Sequence, residues 1–242
     1  MAKLSVDQTL SKAKSYARKG EIEEAQKLYQ NVLQAFPKNG RAQKGLDALR
    51  QHHGPTTTQN PPQELLHRLL GHYQNGRFSD AEKLAVFITQ EFPRHQFAWK
   101  VLGALLGATG RKYEAAIANQ TAVALSPKDV EAHNNLGNTL QELGRFDEAV
   151  ASYKRAIALK PDFAMAHSNL GNTLKELGRF DEAEASYTQA IALKPDFAEA
   201  HNNLGSTLQK LGRLEESEIS FMEAIALKPD FAEAQYNLGV TL

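Results

Sequence analysis

The sequence predicts an all-α protein, a solenoid of antiparallel helix pairs. Residues 130–163 and 164–197 differ at only seven of 34 positions, and residues 198–231 continue in the same register. Within each unit, apolar residues recur at helical spacing in two stretches, which is typical of stacked helical repeats. With the positions of a unit numbered 1 to 34, glycine at position 15 and proline at position 32 recur six times. These pairs are Gly20 and Pro37, Gly76 and Pro93, Gly110 and Pro127, Gly144 and Pro161, Gly178 and Pro195, and Gly212 and Pro229.

The first stretch of each unit predicts an amphipathic helix. Positions 4, 7, 8 and 11 carry small or apolar residues, such as Leu136, Gly137 and Leu140. They lie on one stripe of an α-helix, which indicates a buried face. The glycine at position 15 can adopt a positive φ and end the helix. Acidic residues such as Asp147 and Glu148 follow, and these favour the positive N-terminal end of a second helix.

The second stretch predicts a helix that packs closely on the first, because small residues stand at positions 20 and 27 and an aromatic residue at position 24. Position 20 carries Ala25, Ala81, Ala115, Ala149, Ala183 and Ser217, and position 24 carries Tyr29, Tyr153, Tyr187 and Phe221. Proline at position 32 cannot extend this helix. Asp196 with Glu199 predicts a capping box that starts the next first helix.

This pattern resembles the tetratricopeptide repeat family, in which large, Leu-Gly, Ala, aromatic and Pro residues occupy the same positions of a 34-residue unit. The match is nearly complete over 96–231 and weaker over 6–39 and 62–95, where Lys12 and Arg68 occupy position 7. The resemblance implies a right-handed solenoid. It also implies that the first helices line a concave groove and the second helices lie on the convex side.

The spacing of the prolines predicts two parts joined by a linker. Pro37 and Pro93 are 56 residues apart, which is one period plus 22 residues. We expect a three-helix unit over 1–51, a linker rich in proline and threonine over 52–61, and a main array over 62–242. The main array comprises units 62–95, 96–129, 130–163, 164–197 and 198–231 and the partial unit 232–242.

Composition excludes several classes of function. The chain has no cysteine, so disulfides, thiolate metal sites and cysteine nucleophiles are excluded. No apolar run predicts a membrane span or a secretory signal, so we expect a cytoplasmic protein. The formal net charge is zero, which does not favour nucleic-acid binding. Residues 1–129 nevertheless hold 18 basic and 11 acidic side chains, a balance of +7, and residues 130–242 hold 10 and 17, a balance of −7.

Asparagine and serine recur at the groove positions of the first helices. Carboxamides offer both donors and acceptors, so a column of them can bind the backbone of an extended peptide whatever its side chains. The predicted binding residues are Asn134, Asn135, Asn138, Ser168, Asn169, Asn172, Asn202, Asn203, Ser206 and Asn237. The column resembles the asparagine ladder of the O-linked N-acetylglucosamine transferase superhelix. The alternative is that these are solvated surface residues copied by a recent duplication.

Charges at the groove positions refine the expected partner. Glu131, Glu142, Glu176, Glu199 and Glu233 outnumber Lys175 and Lys210, which favours a neutral or basic peptide and disfavours nucleic acid. The paired-lysine carboxylate clamp of chaperone-binding family members is not evident.

Other residues suggest neither catalysis nor a cofactor. Histidines recur at position 4, as His133, His167 and His201. Equivalent helices lie about 8 to 10 Å apart, too far for a shared metal, so we expect a packing role in the slot of Trp99. No phosphate-binding loop or hydrolase motif is present. We therefore expect no metal, no cofactor and no catalytic residue.

Three functional hypotheses follow. The leading one is a non-enzymatic scaffold that binds an extended protein segment in its groove. The second is the substrate-recruiting arm of a longer enzyme with a glycosyltransferase, sulfotransferase or methyltransferase-like domain, because the chain ends without a polar capping helix. The third is self-association through that C-terminal end, where Leu238 and Leu242 would be exposed, or by pairing of the basic and acidic halves.

Overall fold

The computed structural model describes residues 5–18, 21–52 and 60–241. These residues form fourteen α-helices and no strand, so the predicted all-α solenoid is confirmed. The chain divides into two compact units, Met1–Asn60 and Pro61–Leu242. Most of the predicted linker, residues 53–59, lies outside the described residues, as do Gly20 and Leu242.

The first unit contains three helices around a small core. They are α1 (Val6–Arg18), α2 (Ile22–Ala35) and α3 (Gly40–His52). Buried side chains come from all three helices, including Leu10 from α1, Tyr29 from α2 and Leu46 from α3. All three helices pack on one another. Helices α1 and α3 therefore lie side by side, with α2 against both.

The second unit contains eleven helices, of which the first ten form five successive pairs and the last, α14, packs on the fifth pair. They are α4 (Gln63–Gln74), α5 (Phe78–Glu91), α6 (Gln96–Ala108), α7 (Lys112–Leu125), α8 (Val130–Glu142), α9 (Phe146–Leu159), α10 (Ala164–Glu176), α11 (Phe180–Leu193), α12 (Ala198–Lys210), α13 (Leu214–Leu227) and α14 (Ala232–Thr241). Each helix packs mainly on its neighbours in sequence. The stacking of pairs therefore follows the order of the repeats.

The turn inside each pair depends on the glycine at position 15. In the described units, this residue has a φ between 70° and 77°, as the sequence predicts. The residues with these angles are Gly76, Gly110, Gly144, Gly178 and Gly212. L-residues with a side chain are strained in this region, so glycine ends the first helix at little cost.

Close packing inside three of the pairs depends on a second glycine, at position 8, which faces an aromatic ring. A Cβ atom added to Gly137 would lie 2.5 Å from the ring of Tyr153, and one added to Gly171 would lie 2.7 Å from the ring of Tyr187. Both tyrosines are fully buried. The ring at position 24 therefore rests directly on the backbone of the first helix.

The capping box predicted at Asp196 and Glu199 is absent, which corrects the sequence interpretation. The N-cap of α12 is Phe197, one residue after Asp196, and no side chain caps the helix. The carbonyl of Asp196 instead accepts a hydrogen bond from the amide of Ala198. At the start of α8, by contrast, Asp129 is itself the N-cap, and its carboxylate accepts a hydrogen bond from the amide of Ala132 at 2.9 Å.

First helices of successive pairs also touch one another. Helix α8 packs on both α6 and α10, and α12 packs on both α10 and α14. Among the described residues, second helices of successive pairs make no comparable contact. The first helices are therefore closer together, and they form the inner face of the repeat stack, where the predicted groove residues lie.

Candidate functional site

The carboxamides at position 9 join two neighbouring repeats. The Asn138 Oδ1 atom accepts a hydrogen bond from the Tyr153 hydroxyl at 2.8 Å and a second one from Asn169 Nδ2 at 3.1 Å. In the next repeat, Asn172 Oδ1 accepts from the Tyr187 hydroxyl at 2.7 Å and from Asn203 Nδ2 at 3.0 Å. Each position-9 oxygen therefore ties the second helix of its own repeat to the first helix of the next.

The remaining carboxamide atoms of this column are open. Asn138 and Asn172 Nδ2 donate no hydrogen bond to any described residue, and Asn169 and Asn203 Oδ1 accept none. The four side chains are half-buried, and none of these atoms is enclosed away from solvent. The column therefore presents unused donors and acceptors along one face.

The side chain of Asn135 makes no hydrogen bond to a described residue, because the preceding repeat offers it no carboxamide. Lys100 and Ala104 stand there at positions 5 and 9, which in the later repeats carry carboxamides that accept from the next position-6 asparagine. Asn135 is half-buried on the inner face. Both ends of its carboxamide are therefore available to a ligand.

The position-5 residues are buried, which corrects their predicted placement on an open groove. Asn134, Ser168 and Asn202 are only 4%, 3% and 2% exposed. The reason is the close packing of successive first helices, into which position 5 points. Asn134 Oδ1, for example, accepts a hydrogen bond from Asn169 Nδ2 at 3.2 Å. These three residues lie in the interfaces between repeats and present little surface to a ligand.

The last two predicted residues lie toward the end of the column. Ser206 at position 9 is half-buried, and the aromatic residue of its repeat is Phe221, which has no hydroxyl. Asn237 Nδ2 donates to Asn202 Oδ1 at 3.0 Å. A position-9 oxygen that accepts two hydrogen bonds is thus present in two repeats, at Asn138 and Asn172, and absent from the third, where Ser206 stands.

A cavity of about 490 Å³ opens on the column of asparagines. It contains three predicted residues, Asn138, Asn169 and Asn172. Gln141, Glu142, Phe146 and Glu176 complete the lining. Glu142 and Glu176 were expected at the groove. Gln141 and Phe146 are not among the predicted groove residues, although an aromatic residue at position 17 recurs as Phe180.

The side chains that line the cavity carry negative charge. Glu142 and Glu176 are exposed, and no cationic side chain lines the cavity. The nearest described counterion of Glu142 is Lys112, whose Nζ lies 3.9 Å from its carboxylate. Burial raises the pKa of the Tyr153 phenol, and the charge of Glu142 adds to the rise. The hydroxyl therefore stays protonated and keeps its role as a donor.

Lys100 ends the column on the N-terminal side. It occupies position 5, and its ammonium contacts Asp129 at 3.2 Å and Glu131 at 2.8 Å. Burial acts to lower the pKa of Lys100, but hydrogen bonds and charges from the two carboxylates outweigh it and raise the pKa above its ordinary value. These ion pairs therefore join α6 to the start of α8, whereas carboxamide hydrogen bonds join the later repeats.

The histidines at position 4 bind the backbone. The Nε2 atoms of His133, His167 and His201 lie 3.0 to 3.1 Å from the carbonyl oxygens of the preceding position-32 prolines. A carbonyl oxygen can only accept a hydrogen bond, so the ring nitrogen is the donor. Trp99 Nε1 donates to Pro93 in the same way at 2.9 Å. The histidines thus share the slot of Trp99, as predicted. In the described part of the chain, no group of metal-ligating side chains could hold an ion.

Together, these features define a helical-repeat protein. The family model "TPR repeat" matches residues 112–144, 137–178 and 171–212. Two further models, both described as "Tetratricopeptide repeat", match residues 198–231 and 10–46. These matches cover more than half of the chain, so the chain belongs to the tetratricopeptide repeat family. A search of curated proteins found no match.

Solved structures share the fold. MamA is 24% identical, covers 67% of this chain and 95% of its own, and has a TM-score of 0.62. YrrB, described as a TPR protein with an unusual peptide-binding site, is 17% identical, covers 78% and 95%, and has a TM-score of 0.63. A thermophilic TPR protein of Thermus thermophilus, TTC0263, is 24% identical, covers 74% and 97%, and has a TM-score of 0.58. None of the helices in the described ranges is long and apolar enough to cross a membrane.

Proposed function

We propose that the inner face formed by α8, α10 and α12 binds an extended peptide segment of another protein. The observation that carries this proposal is the column of carboxamide atoms that neighbouring residues leave unused beside an open cavity. Unused Nδ2 donors at position 9 alternate with unused Oδ1 acceptors at position 6 of the next repeat. A peptide backbone offers the complementary acceptors and donors.

The lining residues also suggest which peptides bind. Backbone hydrogen bonds favour an extended chain and depend little on its sequence. The carboxylates of Glu142 and Glu176 favour neutral or basic side chains, because an acidic peptide would meet like charges. Phe146 provides an apolar contact within the same cavity. In this proposal the chain acts as a binding scaffold and takes no part in catalysis.

YrrB supports the proposal by analogy, since it is described as a TPR protein with a peptide-binding site. At 17% identity, the likeness indicates the fold alone and assigns no role to individual residues. Peptide binding by this chain is therefore inferred from its own asparagines.

A displayed library of random dodecapeptides, selected on the full chain, provides the test. The selected peptides are then measured against Asn135→Ala and against the double variant Asn138→Asp with Asn172→Asp. The aspartates keep the oxygens that accept from Tyr153 and Tyr187 but remove the amide donors that face the cavity. We expect each lost hydrogen bond to weaken binding by about fivefold to tenfold.

Gln189→Glu is the matched control, because Gln189 is exposed on the second helix α11 and undergoes the same change from amide to acid. It should leave the affinity unchanged. If the groove variants bind every selected peptide as tightly as the wild-type chain does, the proposal is wrong. Alanine at Asn169 is a poorer test, because it also removes the hydrogen bonds to Asn134 and Asn138.

A further inference from the structure

The three-helix unit has its own cavity, of about 450 Å³, which opens where α1 and α3 lie side by side. Its lining includes Lys14 from α1, Tyr29 from α2, and Arg41, Lys44 and Leu49 from α3. Three of these side chains are cationic and none is acidic. The cavity thus has the opposite charge to the one beside Asn138.

Two of the cations are available to a ligand. Lys14 and Lys44 are exposed, and neither makes an ion pair or a hydrogen bond with a described residue. Arg41 is held at 2.6 Å from the carboxylate of Asp7. The other acid near this face, Asp47, accepts hydrogen bonds from Gln43. The ammonium groups of the two lysines are therefore not neutralised by a carboxylate of the described residues.

Tyr29 lies at the base of the cavity. Its side chain is only 3% exposed, and its ring rests on Gly45, where an added Cβ would clash with the ring carbons. Its hydroxyl makes no hydrogen bond to a described residue and is not enclosed. Burial raises the pKa of this phenol above its ordinary value, so the hydroxyl remains a donor at neutral pH.

The geometry points to a second binding site, in which Lys14, Lys44 and the Tyr29 hydroxyl bind an anionic side chain of a peptide. Two ammonium groups and one hydroxyl donor suit the oxygens of a carboxylate or a phosphate. Neutral peptides lack the charge that compensates the two cations. The chain therefore has two peptide surfaces of opposite preference, one in each compact unit.

Fluorescence anisotropy on the full chain tests this site with three labelled octapeptides of one Gly/Ser framework. The first carries four consecutive glutamates, the second four glutamines, and the third phosphoserines at the same positions. We expect the glutamate peptide to bind and the glutamine peptide not to bind. Tyr29→Phe, which keeps the ring on Gly45, should weaken binding of the glutamate peptide by about tenfold.

The double variant Lys14→Gln with Lys44→Gln should abolish that binding, whereas Lys38→Gln should not change it. Lys38 is a suitable control because it is also exposed but does not line the cavity. A stronger response to phosphoserine identifies phosphate as the preferred anion, and an equal or weaker one identifies carboxylate. Absence of binding by both anionic peptides at low salt would overturn the site, as would binding that Tyr29→Phe and the lysine variants leave unchanged.

Discussion

Single atoms decide how closely the two helices of a repeat can pack. Gly137 has Tyr153 directly above it, whereas Gly107 in α6 has no atom within 4 Å of an added Cβ. We predict that Gly137→Ala lowers the free energy of unfolding by about 1 to 3 kcal/mol through overpacking. Gly107→Ala should raise it by about 0.5 to 1 kcal/mol, because alanine is the better helix former. Urea denaturation compares the two variants, and equal effects would contradict the packing account.

The buried phenols of Tyr153 and Tyr187 link stability to alkaline pH. Burial raises the pKa of both groups in the folded chain. The unfolded phenol loses its proton near its ordinary pKa of about 10, while the folded one retains it. The contribution of these two phenols to the free energy of unfolding is therefore fully present below a pH of about 10 and is lost as the pH rises through the raised pKa.

We predict that the double variant Tyr153→Phe with Tyr187→Phe loses less stability than the wild-type chain does between neutral and strongly alkaline pH. Denaturant midpoints measured across that range provide the comparison. The pH dependence must flatten in the variant, since two of the groups that release protons on unfolding are gone. An unchanged slope would show that these phenols do not titrate differently on folding.

At the scale of the helix, a difference of one residue along the chain decides whether an aspartate caps the helix or remains a carboxylate on the surface. Asp129 is the N-cap of α8, and it also contacts Gln96 and Lys100. Asp162 stands one residue before Phe163, the N-cap of α10. We predict that Asp129→Ala destabilises the chain by about 1 to 2 kcal/mol. Asp162→Ala should cost less than about 0.5 kcal/mol. Thermal unfolding distinguishes the two, and similar losses would refute the assignment of the cap.

The bounds and buried faces of the helices were predictable because they depend on residues that are close together in the sequence. Glycine at position 15 and proline at position 32 determine where each helix ends, and the three-to-four spacing identifies the buried stripe. The burial of Asn134 was not predictable in this way, because it depends on how closely α8 and α10 approach. The capping error at Asp196 has a similar origin, since the helix begins one residue later than the pattern indicates.

The candidate site was predictable only in part, for the same reason. Positions 6 and 9 lie on the inner face, which is the placement that the family resemblance implies. Periodicity does not show that Asn138 Oδ1 already accepts two hydrogen bonds, because its partners Tyr153 and Asn169 come from different helices. The sequence thus suggested which residues line the groove, and the structure shows which of their atoms are free.

Across the whole molecule, charge divides the chain into a basic and an acidic part. Residues 130–242 carry a balance of −7, with Glu142 and Glu176 at the cavity. We predict that, in a chain that also carries Lys14→Gln and Lys44→Gln to remove the basic site of the first unit, Glu176→Lys shifts the peptides selected from a random library from basic or neutral toward acidic sequences. Glu223→Lys, an equal charge change on an exposed residue of the second helix α13, should leave the selection unchanged. An equal shift in both would indicate that net charge and not the groove governs selection.

The side-chain amide resonances of Asn138 and Asn172, followed by NMR as a selected peptide is added to the full chain, test the central claim most directly. We predict that both Nδ2 signals move in proportion to binding while the Gln189 amide signal does not. If the peptide binds and both asparagine signals stay still while signals from the second helices move, the ligand lies on the other face, and the carboxamide column is a structural feature of the repeat stack alone.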